Sequence, residues 1–482
     1  MKSVQMLPFR FRMLEDKILL ANFVGDYLIV SPLQFQKIIA SNIESDPDLL
    51  HDLQANLIVS SGNPESDIEI LSTRYRTKKA FLNDFTSLHM VVTTLRCNQA
   101  CNYCHATAKD ECAGNVDMSI ETANKVARLI IDSPSSFIKV EFQGGESTLN
   151  MPAVRAVVEA VNGLNHSKAK VVEYVICTNL KHVTSDILEY LRHHDFCVST
   201  SFDGPADLHD KHRVDCAGKA THASVLKNLK FAQSYIHRDK IGALMTATKD
   251  SLGRFPEIVD EYVKHGFHSI VFRSMNPYGR FLENQERLSY PVERFVESFK
   301  EGLFHIINLN KKGIHFTEGY TSLLLRRMLT SFSTGYVDLQ SPTGAGIAGV
   351  IYDYDGNIYA CDEGRMLSEM GDETFWIGSV SQEHREVFAG GKLRAIVESS
   401  IVETHPQCTD CAYRIWCGAD PARHYATQGT MVGHKALSEF CKKHLMLFDF
   451  LVTLLETCDN ETKDILYSWI GGQRIETKED RK

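Results

Sequence analysis

The chain has 482 residues, 43% of them hydrophobic and 23% charged. At about 150 residues per domain this suggests roughly three domains, or one large catalytic domain with additions, and so much apolar material excludes wholesale disorder. A net charge of −9 gives no support to an electrostatic nucleic-acid binder. No apolar run approaches the ~18 residues of a membrane span, and no signal-peptide pattern follows Lys2, Arg10 and Arg12. The expectation is a cytoplasmic protein with neither a membrane nor a nucleic-acid partner.

Residues 1–85 read as a small α+β unit. Lys17–Ala21 and Tyr27–Ser31 have strand character around the turn at Gly25-Asp26. Ser31 and Pro32 predict a helix start, Asp46-Pro47 a second, and Gly62-Asn63-Pro64 breaks the pattern. From about residue 89 the pattern becomes strand, loop, helix, repeated. Apolar strand runs lie at 89–94, 137–142, 171–177, 196–202, 242–248 and 268–273, with helical periods at 120–131, 152–164, 187–193 and 255–264 between most of them. Near-continuous apolar strands alternating with helices predict a parallel sheet covered by helices. Six such units are too few for a closed eight-stranded barrel, so 86–290 reads as an open, partial (βα)6 barrel. Helices at 291–309 and 319–330 follow, with 291–335 as a helical linker. A Gly-rich, Cys-containing region occupies 336–445. An apolar helix near 442–457 and a charged tail, Glu476–Lys482, fall in the last unit, 446–482.

Thirteen cysteines in a chain without an export signal argue for metal rather than disulfides. Two tight clusters stand out, at 97–104 and 408–417. Cys177 and Cys197 sit in apolar runs and read as small buried side chains. In the first cluster, Cys97, Cys101 and Cys104 have C-x3-C-x2-C spacing directly after a predicted strand. Three thiolates on one tight loop can hold three irons of a cubane and leave the fourth open. A zinc site would recruit a fourth ligand. His105 is adjacent to Cys104, which makes it an awkward one, and it reads as an exposed loop histidine.

This loop, followed by the remaining strand–helix units, resembles the radical S-adenosylmethionine (SAM) superfamily. The resemblance implies a 4Fe–4S cluster whose open iron chelates the amino and carboxylate groups of SAM. Reductive cleavage would then give methionine and a 5′-deoxyadenosyl radical that abstracts hydrogen from substrate. Tyr103 would lie beside the adenine. Gly144, Gly145 and Glu146 look like the family's GGE motif, where glycines let the backbone approach the methionyl end of SAM. Thr178-Asn179 ends the third strand, as it often does in the family. Ser201-Phe202-Asp203-Gly204-Pro205 and His209-Asp210-Lys211-His212-Arg213 resemble a segment of the peptide-modifying members. There Ser201 and Arg213 would contact SAM, the arginine through its planar donors.

The second cluster, Gly356-x4-Cys361 followed by Cys408, Cys411, Cys417 and Cys441, resembles the SPASM auxiliary-cluster extension. Two of its cysteine positions hold Thr343 and Pro421 instead. Both belong, with that of Cys361, to the first auxiliary cluster. The four positions of the second are filled, which implies one complete auxiliary 4Fe–4S cluster with no open iron, suited to electron transfer or structure. A structural zinc at the same four cysteines is the alternative. Asp362 stands where related sulfatase-maturing enzymes are proposed to use a carboxylate to take a substrate proton. A plain structural turn at Cys361-Asp362-Glu363-Gly364 reads equally well.

The N-terminal unit resembles small domains that bind a leader peptide as an added β-strand, or it is a structural cap on the barrel. Taken whole, the chain is similar to His-Xaa-Ser system radical SAM maturases. The segments that carry this are Leu7-Pro8-Phe9-Arg10, Thr343-Gly344-Ala345-Gly346 and Cys361-Asp362-Glu363-Gly364-Arg365-Met366. That implies modification of a ribosomally made precursor peptide, alongside a second radical SAM maturase and an external electron donor such as flavodoxin or ferredoxin. The alternatives are a sulfatase-type formylglycine maturase and, from another class, a non-catalytic iron–sulfur scaffold that presents the peptide.

Overall fold

A computed structural model describes residues 4–83 and 85–471. The tail from Glu476 lies outside them. The N-terminal unit holds three antiparallel strands, β1 (Phe9–Met13), β2 (Ile18–Asn22) and β3 (Tyr27–Val30), in that order. The sequence suggested only the β2–β3 hairpin. Strand β1 has one buried face at most, with Phe11 and Met13 exposed, so it carries a weak local signal. Helix α1 (Pro32–Ile39) starts as expected. The Ser31 hydroxyl accepts from Gln34 N at 3.2 Å, and the Gln34 side chain returns to Ser31 N at 2.8 Å. Asp46 caps α2 (Pro47–Ala55). The Gly62-Asn63-Pro64 break is also a beginning: Asn63 caps α3 (Pro64–Lys78), a polar helix whose weak apolar period hid it.

The core follows as β4 (Leu88–Thr94), α4 (Ile120–Asp132), β5 (Phe137–Gly144), α5 (Met151–Asn165), β6 (Val171–Thr178), α6 (Ser185–His193), β7 (Cys197–Ser201), α7 (Ala206–His212), α8 (His222–Gln233), β8 (Ile241–Thr246), α9 (Phe255–Lys264) and β9 (Phe272–Arg273). Strands β4 to β9 pair in parallel, each with the next. This is the open, six-stranded α/β arrangement expected from the alternation. Helices α4 and α5 bury Val126, Ile130, Val154, Val157 and Val158 against Ile138, Val140 and Phe142 of β5. Each such side chain contributes roughly 1.5–3 kcal/mol of burial.

The run 268–273 does not form one strand. Ser269–Ile270 pairs with Thr317–Glu318, and only Phe272–Arg273 joins β8. At the switch, the buried carboxylate of Glu318 accepts from Phe272 N at 3.3 Å.

Helices α10 (Val292–Lys311) and α11 (Gly319–Leu329) come next. Strand β10 (Gly349–Tyr352) then returns to pair in parallel with β4. Strand β11 (Asn357–Tyr359), helix α12 (Asp362–Glu369) and strand β12 (Trp376–Ser379) follow, with β11 and β12 antiparallel. The core sheet thus extends to nine strands, running into the Cys-containing region. His89 ties the joint: Nδ1 lies 3.0 Å from the Tyr352 hydroxyl and Nε2 3.2 Å from the Thr86 carbonyl. Helices α13 (Pro421–Gln428), α14 (Glu439–Thr457) and α15 (Asn460–Gly471) complete the described residues. Among the described residues no helix is long and apolar enough to cross a membrane.

Candidate active site

The cysteine loop leaves the C-terminal end of β4 and is pinned from both sides. Ala100 N donates to Val214 O at 2.8 Å and Asn102 N to His212 O at 3.1 Å. Arg280 N donates to Cys104 O at 2.9 Å. Gly279, at φ +60°, leaves room for that approach, since a Cβ there would stand 2.7 Å from Cys104 O. The Cys216 thiol donates to Cys97 O at 3.3 Å. The loop is therefore held in place by its surroundings as well as by anything its thiols bind.

Gly144 and Gly145 have a local reason to be glycine. Gly145 N donates to Thr94 O at 2.9 Å and Glu146 N to Arg96 O at 2.8 Å, laying the end of β5 along the start of the loop. A Cβ on Gly145 would stand 2.2 Å from Arg96 O, and one on Gly144 2.6 Å from Thr94 O. The Glu146 carboxylate turns inward. It accepts from the Thr178 hydroxyl at 2.6 Å, the Thr148 hydroxyl at 2.6 Å and Asn179 N at 2.7 Å. It thereby fixes the end of β6, where Asn179 reaches Asn98 Oδ1 at 2.9 Å and Cys97 Sγ at 3.8 Å. Thr178 ends β6, where the sequence placed the Thr178-Asn179 pair.

Tyr103 is buried, and its hydroxyl donates to the Asp203 carboxylate. Arg213 Nε donates to the same carboxylate at 3.0 Å, and Nη1 stands 3.8 Å from Cys101 Sγ. Asp203, which the sequence marked only as part of a motif, is thus the hub joining the loop to β7. Ser201 ends β7 facing the cavity.

The three cysteines, Tyr103, Gly144, Gly145, Glu146, Thr178, Asn179, Ser201 and Arg213 line one cavity of about 570 Å³. Cys361, Asp362, Glu363, Arg365 and Asp338 close its far side. Asp362 opens α12 and accepts from Arg365 Nε at 3.3 Å. Arg365 is fully buried and also donates to Ala106 O at 3.1 Å, just past the cysteine loop. Burial first, then the charges of Asp338 and Asp420, pushes Glu363 up to about 8.

Two expectations change. His105 is half-buried in the cavity wall, and burial holds its pKa well below the usual histidine value. Cys177 faces the cavity with its thiol 3.5 Å from Glu141 Oε1. An inward position on β6 looks, along the sequence, like any other apolar strand position.

Among the described residues, no three Cys, His, Asp or Glu side chains stand at the separation of a closed metal site. The donor chemistry nonetheless fits an iron–sulfur group. Burial and neighbouring negative charge, including Cys101 and Cys104, push the Cys97 thiol up, and burial raises Cys101 to about 11. Thiols this reluctant to ionise together need a cationic partner, which a metal supplies. All three open into the cavity, so the fourth corner of a bound cubane would face it.

A second cavity, of about 550 Å³, is lined by Cys408, Cys411, Cys417 and Cys441. Burial pushes all four thiols up, Cys408 to about 11. The same donor argument applies, with four thiols and no corner left open. Phe11, Arg12 and Met13 of β1 line this cavity too. Arg10 Nε donates to Thr409 O at 2.5 Å, and Arg12 pairs with Asp449 at 2.5 Å. Thr343 is buried elsewhere, its N–H on Ser400 Oγ at 2.9 Å, and Pro421 opens α13.

A thiol loop at the C-terminal end of a parallel sheet, above a cavity with room for a nucleotide-sized ligand, defines the class. Residues 91–262 match the profile of the Radical SAM superfamily. Residues 91–262 thus form a radical SAM domain, and the chain is similar to the anaerobic sulfatase-maturating enzymes. It is 20% identical over 383 residues to the cysteine-type anaerobic sulfatase-maturating enzyme of Clostridium perfringens, covering 76% of this chain and 96% of that one. It is 30% identical over 190 residues to the uncharacterised protein MJ0907 of Methanocaldococcus jannaschii, covering 39% of this chain and only 63% of that relative. The structure of native anSMEcpe with bound AdoMet and the Cp18Cys peptide matches with a TM-score of 0.65 at 18% identity, covering 79% of this chain and 99% of that one. That match shows the fold.

Proposed function

We propose that this enzyme cleaves SAM and uses the resulting radical to modify a ribosomally made peptide of the His-Xaa-Ser type, in the cytoplasm. The observation that carries the reading is the shared cavity. The loop of Cys97, Cys101 and Cys104 faces Asp362 across about 570 Å³, so a peptide side chain and SAM can meet there. Cys97, Cys101 and Cys104 would hold the radical cluster. When bound, that cluster would supply the electron that cleaves SAM. Tyr103, Gly144, Gly145, Glu146, Ser201 and Arg213 would shape the SAM pocket, Glu146 and Arg213 by fixing the loop and β6 rather than by free polar groups. Asp362, held by Arg365, would stand beside the substrate as a proton acceptor. Cys408, Cys411, Cys417 and Cys441 would hold one auxiliary 4Fe–4S cluster. Units 1–85, 86–290, 291–335, 336–445 and 446–482 would correspond to peptide recognition, radical core, linker, auxiliary-cluster region, and closing helices with a tail. A flavodoxin- or ferredoxin-like donor, and a second radical SAM maturase, would complete the system.

A formylglycine-forming reading is favoured by a different observation: likeness to the sulfatase-maturating enzyme extends over nearly that whole relative. Mass spectrometry separates the two. The reduced, reconstituted enzyme is given SAM and either a precursor with His-x-Ser repeats or a sulfatase-derived peptide. A mass change on the first alone supports the proposal. Formylglycine on the second replaces it. Failure to form any 5′-deoxyadenosine would favour a non-catalytic scaffold.

A further inference from the structure

The cavity of the four C-terminal cysteines also holds a lysine. Lys435 is 6% exposed and lines that cavity. Among the described residues its ammonium hydrogen-bonds only neutral groups, the Val432 carbonyl and His424 Nδ1, the latter at 3.5 Å. A lysine ammonium can only donate, so His424 Nδ1 is the acceptor of that contact. A buried ammonium without an anionic partner is strongly disfavoured unless a negative group faces it.

The surroundings are built to hold Lys435 there. His424 Nε2 lies 2.9 Å from Ser438 Oγ, which in turn accepts from Cys441 N at 3.2 Å. The lysine therefore rests on the same chain of contacts that orients the fourth cysteine. Gly433, at φ +62°, lets the loop fold over the histidine; a Cβ there would stand 2.8 Å from His424 Cγ.

We propose that Lys435 is the counter-charge of the group held by Cys408, Cys411, Cys417 and Cys441, and that it sets how readily that group accepts an electron. This rests on the auxiliary-cluster reading above. A cubane with four thiolates is anionic, and taking one electron from an external donor makes it more so. A fixed positive charge in a low-dielectric cavity favours the reduced form, so it raises the reduction potential.

The test uses the full-length chain with Cys97, Cys101 and Cys104 changed to Ala, reconstituted so that only the C-terminal site is loaded. Iron content and an EPR-monitored potentiometric titration are compared for this parent, Lys435→Met and Lys435→Arg. The expected result is about four irons in each, a lower midpoint potential in Lys435→Met and a parent-like one in Lys435→Arg. Loss of iron from Lys435→Met with retention in Lys435→Arg would also support the counter-charge. Four irons with the same potential in all three would overturn the inference alone. Zinc in place of iron in the parent would overturn the auxiliary-cluster reading and the inference with it.

Discussion

The Tyr103 hydroxyl donates to Asp203, linking the cysteine loop to the turn after β7, a hundred residues on. Arg213 shares that carboxylate and leans its guanidinium over the Tyr103 ring, 5.3 Å from the centroid. The loop is therefore seated by the barrel before any ligand enters. The arrangement makes distinct demands on the cysteines and on the groups that seat them.

Changing Cys97, Cys101 and Cys104 together to Ala should abolish 5′-deoxyadenosine production, because all three thiolates are needed to retain the cluster. Chromatography of SAM reactions under dithionite reads this directly. Continued 5′-deoxyadenosine formation in the triple variant would sink the assignment of these residues.

Metal counting tests the second cavity. The wild-type chain should take up about eight irons and the triple variant about four. About twelve in the wild type would mean that a cluster forms near Cys361 despite Thr343 and Pro421.

Gly145→Ala should destabilise the protein by about 1–3 kcal/mol, the usual cost of overpacking. The new methyl would start 2.2 Å from Arg96 O, a backbone atom that cannot swing aside. Gly163→Ala, in α5 with nothing within 4 Å, is the control and should be neutral or stabilising by up to ~1 kcal/mol. Thermal melting of both variants, together with iron retention in Gly145→Ala, checks this. Equal melting temperatures would show that the loop yields easily.

Acid should loosen the N-terminal unit through Glu403. Burial raises this carboxyl, but Lys79 at 2.7 Å, Ser341 and Tyr75 at 2.8 Å outweigh it and bring the pKa down to about 2. A folded pKa below the ordinary 4.5 means stability that is full above 4.5 and is lost as pH falls toward 2. At about 1.4 kcal/mol per pKa unit the effect is of order 3 kcal/mol. Glu403→Gln should flatten that part of the stability–pH curve. An unchanged slope would place the acid sensitivity elsewhere.

Deleting residues 1–85 discriminates cap from recognition. Arg10, Arg12, Tyr75 and Lys79 all bond the C-terminal region, and Tyr27 packs on Trp416 at 5.5 Å. Recognition predicts weaker peptide binding with iron retained, whereas a cap predicts loss of iron from Cys408, Cys411, Cys417 and Cys441 with aggregation. A soluble truncated protein that keeps its iron and binds peptide with unchanged affinity would reject the recognition role.

The cysteine loop, the strand–helix alternation and most helix starts were legible in the sequence because each is a local signal. Spacing of thiols, apolar period and capping residues all act within a few residues of chain. Strand β1 and helix α3 carry little local signal because one is an exposed edge and the other mostly polar. The pairing of β10 with β4, the inward face of Cys177, the Asp203 hub and the meeting of Lys435 with four cysteines were decided by tertiary structure. Each depends on register and on packing between segments far apart in the chain, and a strand's period of two does not say which face meets the cavity. The sequence by itself determined which chemistry the chain could carry. Only the folded sheet, by bringing distant side chains to one cavity wall, decided which of them stand beside it.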